Sequence, residues 1–222
     1  MSQSIDHQNA NALLAKLALI ILFVAVGAFA LKAAIHTERL ARYTPLVILH
    51  GATMTAWFTL FASQAHLAAK GTLAKHRAWG RWSWLVVVAM VVSGMTVSWN
   101  LSQEAERYDV LIGNTGIFLR FLPLYVAAII YARAHKHAEH RQAMLIGSLA
   151  LMGPAYGRVT DVLGLSNFFV IPFDVVITFA AAIWLDYTSH GRVAASTWWM
   201  LSYNLAALAA MVVIVVTFAL PA

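Results

Sequence analysis

The sequence predicts an all-α polytopic membrane helix bundle with seven transmembrane helices, or six if the first is cleaved. Two observations predict it. Of 222 residues, 61% are hydrophobic and only 11% are charged, whereas soluble domains carry roughly a quarter charged residues. Apolar runs of membrane-spanning length, about 20 residues each, recur along the whole chain and are joined by short polar connections. The absence of cysteine then excludes disulfides, thiolate metal sites and thiol redox chemistry.

Residues 1–12 (MSQSIDHQNANA) are polar and are expected to form a disordered tail, leaving 13–222 as a single transmembrane helical domain. Lys16 precedes an apolar run, Leu17 to Leu31, that contains a small-residue AFA sequence. A signal peptide would open with positive charge. The long and nearly uncharged lead favours an uncleaved first span over 13–35. After the polar connection 36–44, the second span covers 45–69. The loop 70–81 that follows is basic, with Lys70, Lys75, Arg77 and Arg81. The third span, 82–99, is rich in valine and tryptophan, and the loop 100–115 carries Glu104, Glu106, Arg107 and Asp109. The fourth span covers 116–133, the histidine-rich loop 133–141 (RAHKHAEHR) follows, and the remaining spans are 142–163, 168–187 and 196–219. No internal repeat, low-complexity tract or soluble domain is evident.

The net charge of +6 fits membrane orientation better than a nucleic-acid partner. Lys and Arg gather in the second-to-third and fourth-to-fifth loops, with Arg192 in the last loop. Positive residues favour the cytoplasmic side. The expected location is a bacterial-type inner membrane, with the N-terminus cytoplasmic and the C-terminus periplasmic. Trp79, Trp82, Trp84, Trp99, Trp198 and Trp199 cluster near helix ends, as interfacial anchors do. The expected partners are the lipid bilayer and, within it, other membrane subunits or a second copy of the chain, since loops this short leave little room for soluble proteins.

His50 is the residue that most needs an explanation, because a titratable group at lipid depth is costly. It sits about five residues into the second span, roughly 7–8 Å deep at a rise of 1.5 Å per residue. At about 100° per residue, His50, Thr53, Trp57, Phe61 and Gln64 share one face, which is expected to point into the bundle. Arg120, Arg158, Asp161 and Asp174 lie at the same expected depth on later spans. Unpaired charges there are expensive, so Arg120 and Arg158 are expected to pair with Asp161 and Asp174. Two readings stay open: the pairs tie the spans together, or they border a polar pocket beside His50. Pro123, Pro154 and Pro172 are expected to interrupt those same spans.

The inner, cytoplasmic side of the membrane is expected to gather His66, His76, His135, His137, His140 and His190. The run HKHAEH resembles a metal-binding tract by composition, which makes His135, His137 and His140 weak metal candidates. Interleaved Lys and Arg repel cations, so a solvated basic rim is the alternative reading.

Three stretches carry a resemblance. LHGATMTAWFTLF at His50, KHRAWG at His76 and EHRQAMLIGSLALMGPAYGR at His140 and Arg158 resemble a broad group of bacterial polytopic membrane proteins with the order HxxxxTAW, HRxxG, HRxxM, PAxxR. A helical histidine followed by a loop histidine is more distantly similar to the diheme b-type cytochrome and transmembrane ferric reductase superfamily. That resemblance implies haem b or a metal ion as cofactor, electron transfer as function, and His50, His66, His76 and His140 as ligand candidates. The sequence departs from the diheme pattern: Gln64 stands fourteen residues after His50, where a second same-face ligand belongs. One haem between His66 or His76 and His140 is the arrangement that remains, or a single ligand at His50.

Three functional readings follow: a haem- or metal-binding electron-transfer protein, a transporter or small-molecule-binding protein with an outward polar pocket, and a non-catalytic subunit of a larger membrane complex. No G-x-S-x-G, P-loop or Rossmann fingerprint is present. The last span holds no lysine, which argues against retinal Schiff-base chemistry.

Overall fold

The computed structural model describes residues 2–38 and 43–218. Among these there is no strand. The helices are α1 (Ser2–Ile35), α2 (Pro45–Ala69), α3 (Leu73–Gly80), α4 (Ser83–Ala105), α5 (Tyr108–Arg133), α6 (His137–Ala150), α7 (Gly153–Val162), α8 (Val170–His190) and α9 (Ala195–Phe218). Local chemistry sets several boundaries. The Thr44 hydroxyl accepts from the Val47 amide, and Pro45 opens α2, a cap and first-turn proline that pre-organise a helix start. Asp109 lies in the first turn of α5, where a negative charge meets the positive end of the helix dipole. Gly191, at φ 65°, ends α8 in the left-handed conformation that glycine adopts without strain.

Six helices among the described residues are long and apolar enough to cross a membrane: Gln8–Ile35, Pro45–Ala69, Leu73–Glu104, Tyr108–Arg133, Asn167–His190 and Ala195–Phe218. Their outward faces present Phe23, Ile48, Val92, Ile130, Val176 and Val213 to the surroundings. Such an apolar exterior is what lipid requires, because the bilayer core offers no hydrogen-bond partners.

The span expected over 142–163 is divided. α6 stops at Ala150, the chain turns at Leu151 and Met152, and Pro154 sits in the first turn of α7. The two halves together follow α8: Gln142 donates from Nε2 to the Ala182 carbonyl at 2.8 Å, while Gly157 packs near Val170. This segment is not among the six long apolar helices, and its place explains why it can be less apolar. α5, α8 and α9 all pack on α6, and Arg141, Gln142, Ala143 and Leu145 to Ala150 are buried. A helix with little lipid-facing surface can be polar.

Other expectations need correction. α1 begins at Ser2 rather than near 13, so the tail expected over 1–12 is helical from Ser2 onward. Ala10 is fully buried there and Asn11 bonds Arg141, which gives the extra turns a packing surface. The loop expected over 70–81 contains α3, and that expected over 100–115 shrinks to Glu106 and Arg107. Of the three prolines, Pro123 lies inside an unbroken α5. Pro154 and Pro172 stand in first turns, where a missing amide proton removes no hydrogen bond.

Candidate functional site

The face predicted on α2 is the inward one. Trp57, Phe61 and Gln64 are buried, and His50 and Thr53 are half-buried. The partner of His50 comes from α4: its Nδ1 lies 3.1 Å from Ser93 Oγ. Thr53 Oγ1 is 3.2 Å from the same oxygen and donates to the His50 carbonyl at 2.8 Å. Gly94 makes this approach possible, because a Cβ there would stand 2.8 Å from His50 Cε1 and 2.9 Å from the Phe118 ring. A cleft of about 260 Å³ opens beside the imidazole, lined by His50, Gly94, Val97, Ser98, Val110, Gly113, Asn114, Ile117 and Pro154. Asn114 spans its wall, donating from Nδ2 to the Gly94 carbonyl at 3.0 Å and to Ser98 Oγ at 2.8 Å.

The charged residues expected around His50 do not line that cleft. They form separate groups. Arg120, Asp174 and Asn204 make a buried triad across α5, α8 and α9: Arg120 donates from Nη2 to Asp174 Oδ2 at 2.6 Å and from Nε to Asn204 Oδ1 at 2.9 Å, while Asp174 Oδ1 has no partner among the described residues. The expected Arg120–Asp174 pair is therefore formed. An Arg158–Asp161 pair is not. Arg158 instead donates to the Pro154 carbonyl in its own helix at 2.7 Å and lies 3.6 Å above the Phe29 ring of α1, a cation–π contact. Asp161 pairs with Lys32 of α1, and His36 Nε2 lies 3.9 Å from it. α1 packs along α7 and α8, and so brings its own charge into the group.

At the opposite, basic end the structure brings two of the ligand candidates together. The rings of His76, on α3, and His140, on α6, lie 6.2 Å apart between centroids and nearly perpendicular, at 89°. Their settings are parallel. His76 Nδ1 is 3.1 Å from the Gln64 carbonyl and His140 Nδ1 is 2.9 Å from the Ala128 carbonyl, each twelve residues upstream on the preceding long helix. A carbonyl only accepts, so both rings carry their proton on Nδ1 and keep a lone pair on Nε2. Neither Nε2 meets a hydrogen-bond partner among the described residues. An unprotonated imidazole nitrogen of this kind is the atom that would hold a metal or a haem iron.

Two residues tied to this pair, Gln64 through its carbonyl and Arg141 as the neighbour of His140, carry buried polar atoms without partners among the described residues. Both amide atoms of Gln64 are among them, as are Nε and Nη2 of Arg141. Gly80 packs directly on the Gln64 amide, where a Cβ would come within 3.2 Å of Oε1. Arg141 is 7% exposed and makes one hydrogen bond, from Nη1 to Asn11 Oδ1 at 3.2 Å. Such orphaned groups mark places where a water, ion or further ligand belongs. The His140 ring is held below the ordinary histidine range by burial first, with His76, His137 and Arg141 adding to the shift and the Ala128 carbonyl opposing it.

The remaining candidates do not join the pair. His66 is exposed on the far side of α2. His135 and His137 are exposed, 6.1 Å apart, and do not converge with His140. Among the described residues no group of three or more His, Asp or Glu side chains is placed to hold a metal ion. A bare-ion site from His135, His137 and His140 is therefore not formed.

Ser93, Ser98, Asn114 and Asn204 escaped the sequence reading. The signal that would have found them is an amide or hydroxyl inside an apolar span, weaker than a charge but subject to the same demand for partners. Comparison of the chain with protein-family models, with curated proteins and with solved structures finds no match.

Proposed function

We propose that this protein binds a redox cofactor through His76 and His140 at the basic end of the bundle, and that the cofactor is haem b rather than a bare metal ion. The observation that carries the reading is the matched pair of imidazoles. Each is pinned through Nδ1 by a backbone carbonyl, the arrangement that orients a histidine toward a metal and raises its basicity. Local charge supports haem. Lys75, Arg77, Lys136 and Arg141 stand within a few residues of the two histidines and repel a free cation. Arg141 offers two unpaired nitrogens, Nε and Nη2, a ready counter-charge for a carboxylate that the ligand brings itself. When bound, such a group supplies one-electron chemistry.

The chain's own part is then to hold two imidazoles in one tautomer, to neutralise the ligand's acidic groups and to exclude water. Trp57, Phe121 and Tyr125 form a buried aromatic cluster, with Trp57 4.9 Å from Phe121 and 5.8 Å from Tyr125. It lies along the same two helices that carry the anchoring carbonyls. The basic loops also support a cytoplasmic position for this end and a bacterial-type inner membrane as the location.

The test is the absorption spectrum and metal content of the purified full-length protein. A Soret band is expected in the wild type, lost in His76→Ala and in His140→Ala, and retained in His66→Ala. A protein without a Soret band and without bound metal, expressed with haem supplied, overturns the reading.

A further inference from the structure

The geometry of the cleft beside His50 points to a binding site for a small, membrane-soluble hydroxyl compound of the single-ring phenol or hydroquinone type. This site is separate from the basic end and does not depend on what binds there.

Proton bookkeeping sets the ligand's chemistry. Thr53 donates its hydroxyl proton to the His50 carbonyl, and Ser93 donates to the Met90 carbonyl at 3.2 Å. His50 also meets the Met90 carbonyl, which only accepts, beside Ser93 Oγ; a proton on Nδ1 serves both, and this assigns the lone pair to Nε2. Ser98 has donated to the Gly94 carbonyl at 2.9 Å, and both bonds Asn114 makes run from Nδ2. What the cleft leaves open is one imidazole acceptor and one amide oxygen, Asn114 Oδ1, neither with a partner among the described residues. A ligand that pairs with both must donate hydrogen bonds. A carbonyl compound or an anion would meet lone pairs only.

Size and walls narrow the class. At about 260 Å³ the cleft falls just below the range of drug-sized pockets, roughly 300–1,000 Å³, and suits a single ring. Val97, Val110, Ile117 and Pro154 give it apolar sides. An apolar ring with a hydroxyl satisfies walls and acceptors together, and such a compound partitions into lipid and reaches a span-depth cleft from the bilayer.

Gly113 provides a clean test. It lines the cleft, and a Cβ built on it meets nothing within 4 Å. Gly113→Leu therefore starts its side chain in open space within the cleft, and leucine is the better helix former of the two. The experiment measures binding of tetramethylhydroquinone, kept reduced under anaerobic conditions, to the full chain in lipid nanodiscs by calorimetry. Expected results are saturable binding to the wild type, at least tenfold weaker binding in Gly113→Leu and in His50→Ala, and at least tenfold weaker binding of the dimethyl ether, which cannot donate. Equal affinity of the ether, unchanged affinity in Gly113→Leu, or no saturable binding to the wild type overturns the proposal. Thermal melting of each variant separates loss of the site from loss of the fold, and His50→Ala serves if Gly113→Leu does not fold. The Soret spectrum read on the same samples reports on the basic end alone.

Discussion

Neutralising one member of the Arg120–Asp174 pair is expected to be among the most damaging single changes in the bundle. The two side chains are 2% and 4% exposed, and the closest N–O distance is 2.6 Å. At an effective dielectric of about 20, unit charges about 4 Å apart attract by about 4 kcal/mol. Asp174→Asn preserves shape and an acceptor for Arg120 but leaves the guanidinium buried without a counter-charge, a situation that typically costs about 3–5 kcal/mol. Removing both charges is different: Arg120→Met with Asp174→Leu deletes the attraction and the desolvation penalty together, and such replacements are often neutral. The assay is unfolding of the detergent-solubilised protein by increasing SDS, followed by tryptophan fluorescence. Asp174→Asn is expected to lose at least about 3 kcal/mol, and the double variant to recover more than half of it. An Asp174→Asn protein within about 1 kcal/mol of the wild type, the scale of an exposed pair, refutes the argument, as does a double variant less stable than the single.

Two glycines of α5, one turn apart, are expected to behave oppositely. Gly116→Ala drives a Cβ into Met211 of α9 and is expected to cost about 1–3 kcal/mol by overpacking, whereas Gly113→Ala is neutral or stabilising in the same unfolding assay. In cofactor-free protein, stability is expected to fall in acid through His140. The folded state keeps this ring neutral to lower pH than the unfolded chain, whose imidazole titrates near 6.5. Protons bind the unfolded chain first, so stability is full above about pH 6.5 and falls below it, by at most about 1.4 kcal/mol per pH unit. His140→Gln is expected to flatten that slope, and an unchanged slope between pH 7 and 5 removes His140 from the account. Because the chain has no cysteine, single introduced thiols report sidedness. Thr72 and Gln103 are both exposed, at opposite ends of the bundle. Thr72→Cys is expected to label only from the cytoplasmic side and Gln103→Cys only from the periplasmic side of intact membranes. The reverse pattern inverts the orientation.

The apolar stretches made the bundle legible, because lipid demands them wherever a helix faces outward. The inward face of α2 was legible for the same reason, through His50 and Gln64 in an otherwise apolar run. The Arg120–Asp174 pair followed from the cost of burying either charge alone. What escaped depended on which helices are neighbours. Lys32 and Asp161 are 129 positions apart, and no periodicity announces that α1 lies along α7. Arg158 looked as though it needed a carboxylate one turn away, yet an aromatic face and the Pro154 carbonyl of its own helix sufficed. The proximity of His76 and His140 was legible only as a candidate combination. The carbonyls that aim both rings belong to Gln64 and Ala128, and a backbone acceptor leaves no trace in residue type.

The divided α6–α7 segment has a consequence for how the protein is made. A segment that opens with His137, Glu139, His140, Arg141 and Gln142 and closes near Arg158 and Asp161 has poor grounds to leave the translocon for lipid by itself. Its polar groups find their partners on α1, α5 and α8, and α8 is synthesised afterwards. Its burial is therefore expected to be completed only after α8 has been made, so that the segment settles together with the hairpin that follows.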